Sequence, residues 1–159
     1  MNGKLVGGFI VLTALLAGGA IYYLQEYAFY QPVAFTPGDE IELTNIATGL
    51  PEAIPVAGLQ GIDANSSPLR FRACFTTPLN QATLTEAYKV YDKAVPLNAP
   101  TWFTCFDAAR IGDALQSGEA VAFLSKADIA PQIDRVVAVF PDGQAYAWHQ
   151  VNPDATNGE

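Results

Sequence analysis

The sequence predicts an α+β protein: one N-terminal transmembrane helix, then a small domain with a mainly antiparallel sheet and two helices. Three observations predict it. Leu5 to Tyr23 (LVGGFIVLTALLAGGAIYY) carries no charge. Period-two alternation at Leu69–Phe75 and on both sides of Pro141-Asp142-Gly143 marks strands. Two helix-period segments lie together between those strands instead of alternating with them, which disfavours a doubly wound sheet.

About 20 apolar residues at 1.5 Å each cross the hydrocarbon core of a bilayer. Leu5 to Leu24 meets that length, and Tyr22, Tyr23, Tyr27, Phe29 and Tyr30 follow as an interfacial aromatic belt. Lys4 precedes the stretch, whereas Glu26, Asp39, Glu40 and Glu42 follow it. The positive-inside rule then places the N-terminus in the cytoplasm and the domain on the far side of the membrane. A cleaved signal peptide is the rival reading, since Ala17-Gly18-Gly19-Ala20 offers a small-residue site. The apolar and aromatic character that continues to Tyr30 favours an uncleaved anchor. No cysteine follows the run to serve as a lipoprotein site. Gly3, Gly7, Ala14 and Gly18, spaced by four, seven and four, share one helical face on which a neighbouring helix could pack closely.

The expected organisation is an anchor with its aromatic belt over residues 1–30, a connector over 31–38, a domain over 39–152 and a frayed tail over 153–159. Gln31 to Gly38 (QPVAFTPG) reads as a short connector that keeps the domain near the membrane. Glu40–Ile46 reads as a first strand. Ala47–Gly61, with two prolines and three glycines, reads as irregular with at most a turn of helix. After a turn at Asn65–Pro68, Leu69, Phe71, Ala73 and Phe75 alternate with Arg70, Arg72 and Cys74.

Thr83-Leu84-Thr85-Glu86 has capping-box spacing, and Leu84, Ala87, Tyr88, Tyr91 and Val95 follow at helical offsets until Pro96. Asp107 is placed to cap a second helix, with Ala108, Ile111 and Leu115 inward and Gly118 ending it. Glu119–Lys126 reads as a strand and Ala127–Pro131 as a connector or helical turn. Asp134–Phe140 and Gln144–Val151 form a hairpin around Pro141-Asp142-Gly143, which suits a type I turn with a bulge.

Eight Lys and Arg against sixteen Asp and Glu leave a net charge of −8. Nucleic acid is therefore excluded as a partner, because its binding relies on basic residues that neutralise phosphates. The only cysteines, Cys74 and Cys105, read as a disulfide in an exported domain, which would stabilise it by roughly 3–4 kcal/mol. Two separate thiols remain the alternative; a redox pair lacks the Cys-x-x-Cys spacing.

His149 is the only histidine, so no metal centre is expected, and no cofactor. Its face of the last strand also holds Ala145, Ala147 and Val151. No nucleophile elbow, phosphate loop or dinucleotide fingerprint occurs. The paired acids Asp39 and Glu40 read as solvated. Arg70 and Arg72, projecting with Cys74, would cover the disulfide or contact an anion. Trp102, Phe103, Tyr146 and Trp148 are candidates for an interface, with core packing the alternative.

GKLVGGFIVLTALLAGGAIYYLQEYAFY, LRFRACF with WFTCFDA, and RVVAVFPDGQAYAWHQVN together resemble an uncharacterised family of small, single-pass, membrane-anchored proteins of alphaproteobacteria with a periplasmic domain. The resemblance covers nearly the whole chain and implies no activity and no site residues.

The reading that follows is a non-enzymatic accessory subunit or assembly factor of an inner-membrane complex, with a respiratory complex favoured within that class. Its acidic domain would steer a basic partner such as cytochrome c. The alternatives are a periplasmic ligand-binding or sensory module near Arg70 and Arg72, and a thiol-redox or copper-handling factor at Cys74 and Cys105.

Overall fold

The computed structural model describes residues 2–36 and 41–155, in two units that meet at Tyr30 and Gln31. Asp39, Glu40 and the end of the tail lie outside the described residues.

In the first unit, α1 spans Gly3–Tyr23, and the Asn2 side chain caps it by accepting from the Lys4 amide at 3.3 Å. Twenty-one residues reach about 31 Å, the thickness of a hydrocarbon core. Leu5, Phe9 and Leu15 are each about two-thirds exposed or more. The helix is long and apolar enough to cross a membrane, a description that a signal sequence near an N-terminus also meets. A single π-helical turn, Leu24–Ala28, continues it. Its wider winding brings Tyr27 below both earlier tyrosines, edge-on to Tyr22 at 6.3 Å and stacked on Tyr23 at 5.9 Å. Tyr22, Tyr23 and Tyr27, three of the five residues of the expected belt, thus form one cluster.

The second unit is built on eight strands: β1 (Gln31–Pro32), β2 (Glu42–Thr44), β3 (Pro51–Ala53), β4 (Ala57–Asp63), β5 (Arg72–Thr76), β6 (Val121–Ala130), β7 (Ile133–Val139) and β8 (Gln144–Val151). Two helices complete it, α2 (Gln81–Ala87) and α3 (Ala108–Ser117). Six strands form one antiparallel sheet in the order β1-β4-β5-β8-β7-β6, and β2 with β3 makes a separate hairpin. The expected α+β class holds.

Register explains the core. Ala73 faces Ala147, which faces Val137, so Phe71, Ala73, Phe75, Ala145, Ala147, Val137, Val139 and Phe123 share one face. They pack against Ile41, Leu43 and Ile54 of the hairpin region and Leu84 of α2. On the opposite face Arg72, Cys74, Tyr146 and Trp148 lie with Phe106. The central strands are therefore buried on both sides, although the sheet is antiparallel. Helix α3 follows expectation: Asp107 accepts from the Arg110 amide, and Gly118 ends the helix in the left-handed region. The β7–β8 turn also follows it, with the Gly143 amide donating to Phe140 O at 3.1 Å and the Phe140 amide to Gln144 O at 2.8 Å.

Four expectations need correction. The connector is part of the domain: Gln31 and Pro32 pair with Asp63 and Ile62, and the Val33 amide donates to Gly61 O. Pro32 fits because it lies on an edge strand, where a missing amide costs nothing. Ala47–Gly61 holds β3 and most of β4 instead of irregular chain. Its alternation is broken by a bulge between Ala57 and Gln60, where Gly58 takes φ +63°. Gly61 is there for another reason: a Cβ on it would stand 2.6 Å from the Phe35 ring.

The first helix is short. Asn80, not Thr83, caps it by accepting from the Thr83 amide at 2.9 Å, and Tyr88 is already extended. Tyr88 bridges Asn45 and Val90 bridges Phe123, so the backbone at 88–91 is drawn between β2 and β6. The Lys89 amide donates to Thr44 O and the Tyr91 amide to Ala122 O, bonds that compete with further helix. Finally, β6 runs on to Ala130 through the expected connector, with a register shift after Lys126.

Gly143 gives a direct test of the hairpin. It holds φ +85°, and a Cβ there would lie 2.7 Å from Thr77 O, whose own amide donates to Gly143 O. Gly143→Ala is expected to lower stability by about 1–3 kcal/mol, read from urea denaturation of the full chain in mild detergent.

Candidate functional site

Strand β5 brings most of the singled-out residues together. Cys74 is bonded to Cys105, with Cα atoms 6.3 Å apart, and Cys105 stands two residues before the Asp107 cap. The bond therefore fastens the entry of α3 to the sheet. Cys74 is buried while Cys105 is exposed.

Arg72, two residues earlier on the same face, is only 3 % exposed. Its Nε donates to Leu97 O at 2.8 Å and Nη2 to Asn98 O at 3.0 Å. Nη1 donates to Leu69 O at 2.8 Å and Phe71 O at 2.6 Å. The guanidinium also lies 5.7 Å from the Phe106 ring centre. A buried cation whose donors meet carbonyls is a fastener for the 97–98 segment, not a contact for an anion. Arg70 sits half-buried just ahead of the strand.

On the other face, at the end of the apolar core, His149 is 4 % exposed and stacks on Phe71 at 4.6 Å between ring centres. Its Nδ1 lies 2.7 Å from Pro68 O, and Arg135 Nε donates to its Nε2 at 3.0 Å. The two contacts define one neutral tautomer: Nδ1 carries the proton and donates to the carbonyl, leaving Nε2 to accept. Arg135 also covers the Phe71 ring at 4.4 Å. Burial, and after it the Arg135 charge, push the imidazole pKa down to about 4. Burial likewise raises the Asp63 carboxyl and lowers the Arg135 guanidinium. With both nitrogens engaged, His149 holds the 68 loop and β7 to the strand between them.

The four interface candidates separate. Trp148 is 0 % exposed; its indole nitrogen donates to Gln150 Oε1 at 3.0 Å. Tyr146 and Phe103 are buried too, and Phe106 stands edge-on to both Tyr146 and Trp148. Interface roles for Tyr146, Trp148 and Phe103 are thus corrected to core roles. For Tyr146 and Trp148 the reason is that β8 is a central strand, flanked by β5 and β7, whose face is covered by Phe106. Trp102 alone reaches the surface, at 39 % exposure, with its ring edge-on to Phe103. Beside it runs a groove of about 490 Å³ whose walls include Pro32, Val33, Leu59, Gln60, Trp102 and Cys105.

Two further placements complete the inventory. Gly3, Gly7, Ala14 and Gly18 all lie within α1, on an arc of about 60°. Tyr91, expected on a helix face, lies on extended chain, where its hydroxyl donates to Asp134 Oδ2 at 2.9 Å and burial raises its pKa. No local pattern announces that pair, since 43 residues separate its members. Among the described residues no group of three or more His, Cys, Asp and Glu could hold a metal ion.

A family model described as a family of unknown function (DUF6446) matches residues 41–157. No curated protein and no solved structure matches the chain.

The His149 environment makes stability depend on pH. The unfolded imidazole takes up a proton near pH 6.5 and the folded one only near pH 4. Stability from this group is complete above pH 6.5 and is lost as pH falls to 4, by about 3 kcal/mol in all. His149→Gln should flatten the fall between those limits relative to the parent chain, measured as urea midpoints across the range.

Proposed function

The chain belongs to the DUF6446 family, a family of unknown function, and we propose that it is a non-enzymatic accessory subunit or assembly factor of a membrane complex. In this reading α1 spans the inner membrane with its N-terminus in the cytoplasm, and the domain stands in the periplasm.

The observation that carries the reading is the commitment of the domain's reactive side chains to its own fold. Both cysteines are bonded to each other, both His149 nitrogens are engaged, and Arg72 is turned onto backbone carbonyls. A disulfide persists in an oxidising compartment, which supports an exported domain, and Lys4 ahead of α1 supports the orientation.

Charge supports a basic partner. Residues 31–159 hold seven basic against fifteen acidic side chains, and of the basic ones Arg72 is buried and Arg135 half-buried. Such a surface attracts and steers a positively charged protein, and a periplasmic carrier such as cytochrome c of a respiratory chain fits that description. The Gly3, Gly7, Ala14 and Gly18 face offers α1 a place to pack against a helix of the complex. An anion-sensing module at Arg70 and Arg72 draws no support from a guanidinium already spent on Leu97 and Asn98.

Affinity purification at native expression in mild detergent, read by mass spectrometry, tests the proposal. One membrane complex is expected in stoichiometric yield, and Gly7→Leu with Gly18→Leu should abolish its recovery while leaving the domain folded. Recovery of the bait alone, as a monomer, would overturn it.

A further inference from the structure

We infer that the groove beside Trp102 is a lipid contact, seating this edge of the domain in the headgroup region of a bilayer; the inference rests on α1 being a membrane span.

Covalent reach is the first argument. Pro32 forms one wall of the groove and lies two residues beyond Tyr30, the last residue of the helical unit. Two residues of chain extend at most about 7 Å, however the units are oriented. If Tyr27 marks the interface, Pro32 lies within five residues of chain, at most about 18 Å, of it.

Chemistry is the second. None of the groove's lining residues is charged, on a chain of net charge −8. The cleft beside Tyr91, by contrast, is lined by Lys89, Lys93, Asp134 and Asp154, and the one beside α3 by Asp92 and Asp113. An uncharged strip lets an acidic domain approach phosphate headgroups without setting carboxylates against them.

Trp102 is the third. An indole, with an apolar body and one N–H, favours the membrane–water boundary. This one is exposed yet held: its neighbour Phe103 is buried, and Cys105 bonds the segment to β5. A pre-positioned anchor side chain loses little conformational freedom on contact.

The test uses the full chain in phosphatidylcholine vesicles, with and without lipid brominated near the headgroup end of its acyl chains. Flotation reports insertion, and bromine quenching reports tryptophan at the interface. Trp148, wholly buried, is the internal reference. The Trp102 share of the emission should be lost in brominated vesicles, and Trp102→Phe should remove the quenching. A chain that floats with undiminished emission overturns the groove assignment and leaves the anchor standing. A chain that does not float overturns the anchor itself. Protection of Trp102 only within a purified complex would give the groove to a protein and likewise overturn the lipid assignment.

Discussion

Burial of β5 on both faces is the constraint on which the rest of the domain depends. On one side Phe71, Ala73 and Phe75 enter the apolar core; on the other, Arg72 and Cys74 reach long irregular chain that has no sheet of its own. The segment between α2 and α3 holds little regular structure that could fix it. It is held instead by a guanidinium grasping residues 97 and 98 and by a disulfide at 105. Gln150 adds a third tie, accepting from the Val95 amide and donating to Lys93 O. Polar and covalent bonds here do what an apolar helix face does elsewhere.

That arrangement explains which parts of the fold were legible. Elements whose signals are local were readable: the Asp107 cap with its Gly118 terminator, the Pro141-Asp142-Gly143 turn, and the alternation at 69–75. Elements settled by distant backbone were not. The helix after Asn80 stops because Thr44 and Ala122 bind the amides of Lys89 and Tyr91, and neither residue is near in sequence. β4 escaped notice because a bulge at Gly58 and close packing at Gly61 put glycines where a strand pattern shows β-branched residues.

The candidate site was legible to a similar degree. Pairing of Cys74 with Cys105 is the reading that an even cysteine count favours in a chain expected to be exported. Burial of Tyr146 and Trp148 does not, because it depends on β8 being central, and alternation alone does not distinguish a central strand from an edge. Arg72 reads as a cover for the disulfide or an anion contact, since Arg is seldom buried unless its donors are met. Here they are met by carbonyls 25 and 26 residues further on.

The packing of Phe35 over Gly61 decides where this chain can be severed. A protease acting between Phe35 and Ile41 would leave β1 and the Phe35 ring on the N-terminal side of the cut. The released piece would then bare the outer edge of β4 and open a hollow above Gly61, and such an edge invites pairing with a second chain. Cleavage at Tyr30 would free a domain with its border intact. The junction between the apolar helix and the domain is therefore set by a ring and a glycine, several residues ahead of where the proline-rich text invites the cut.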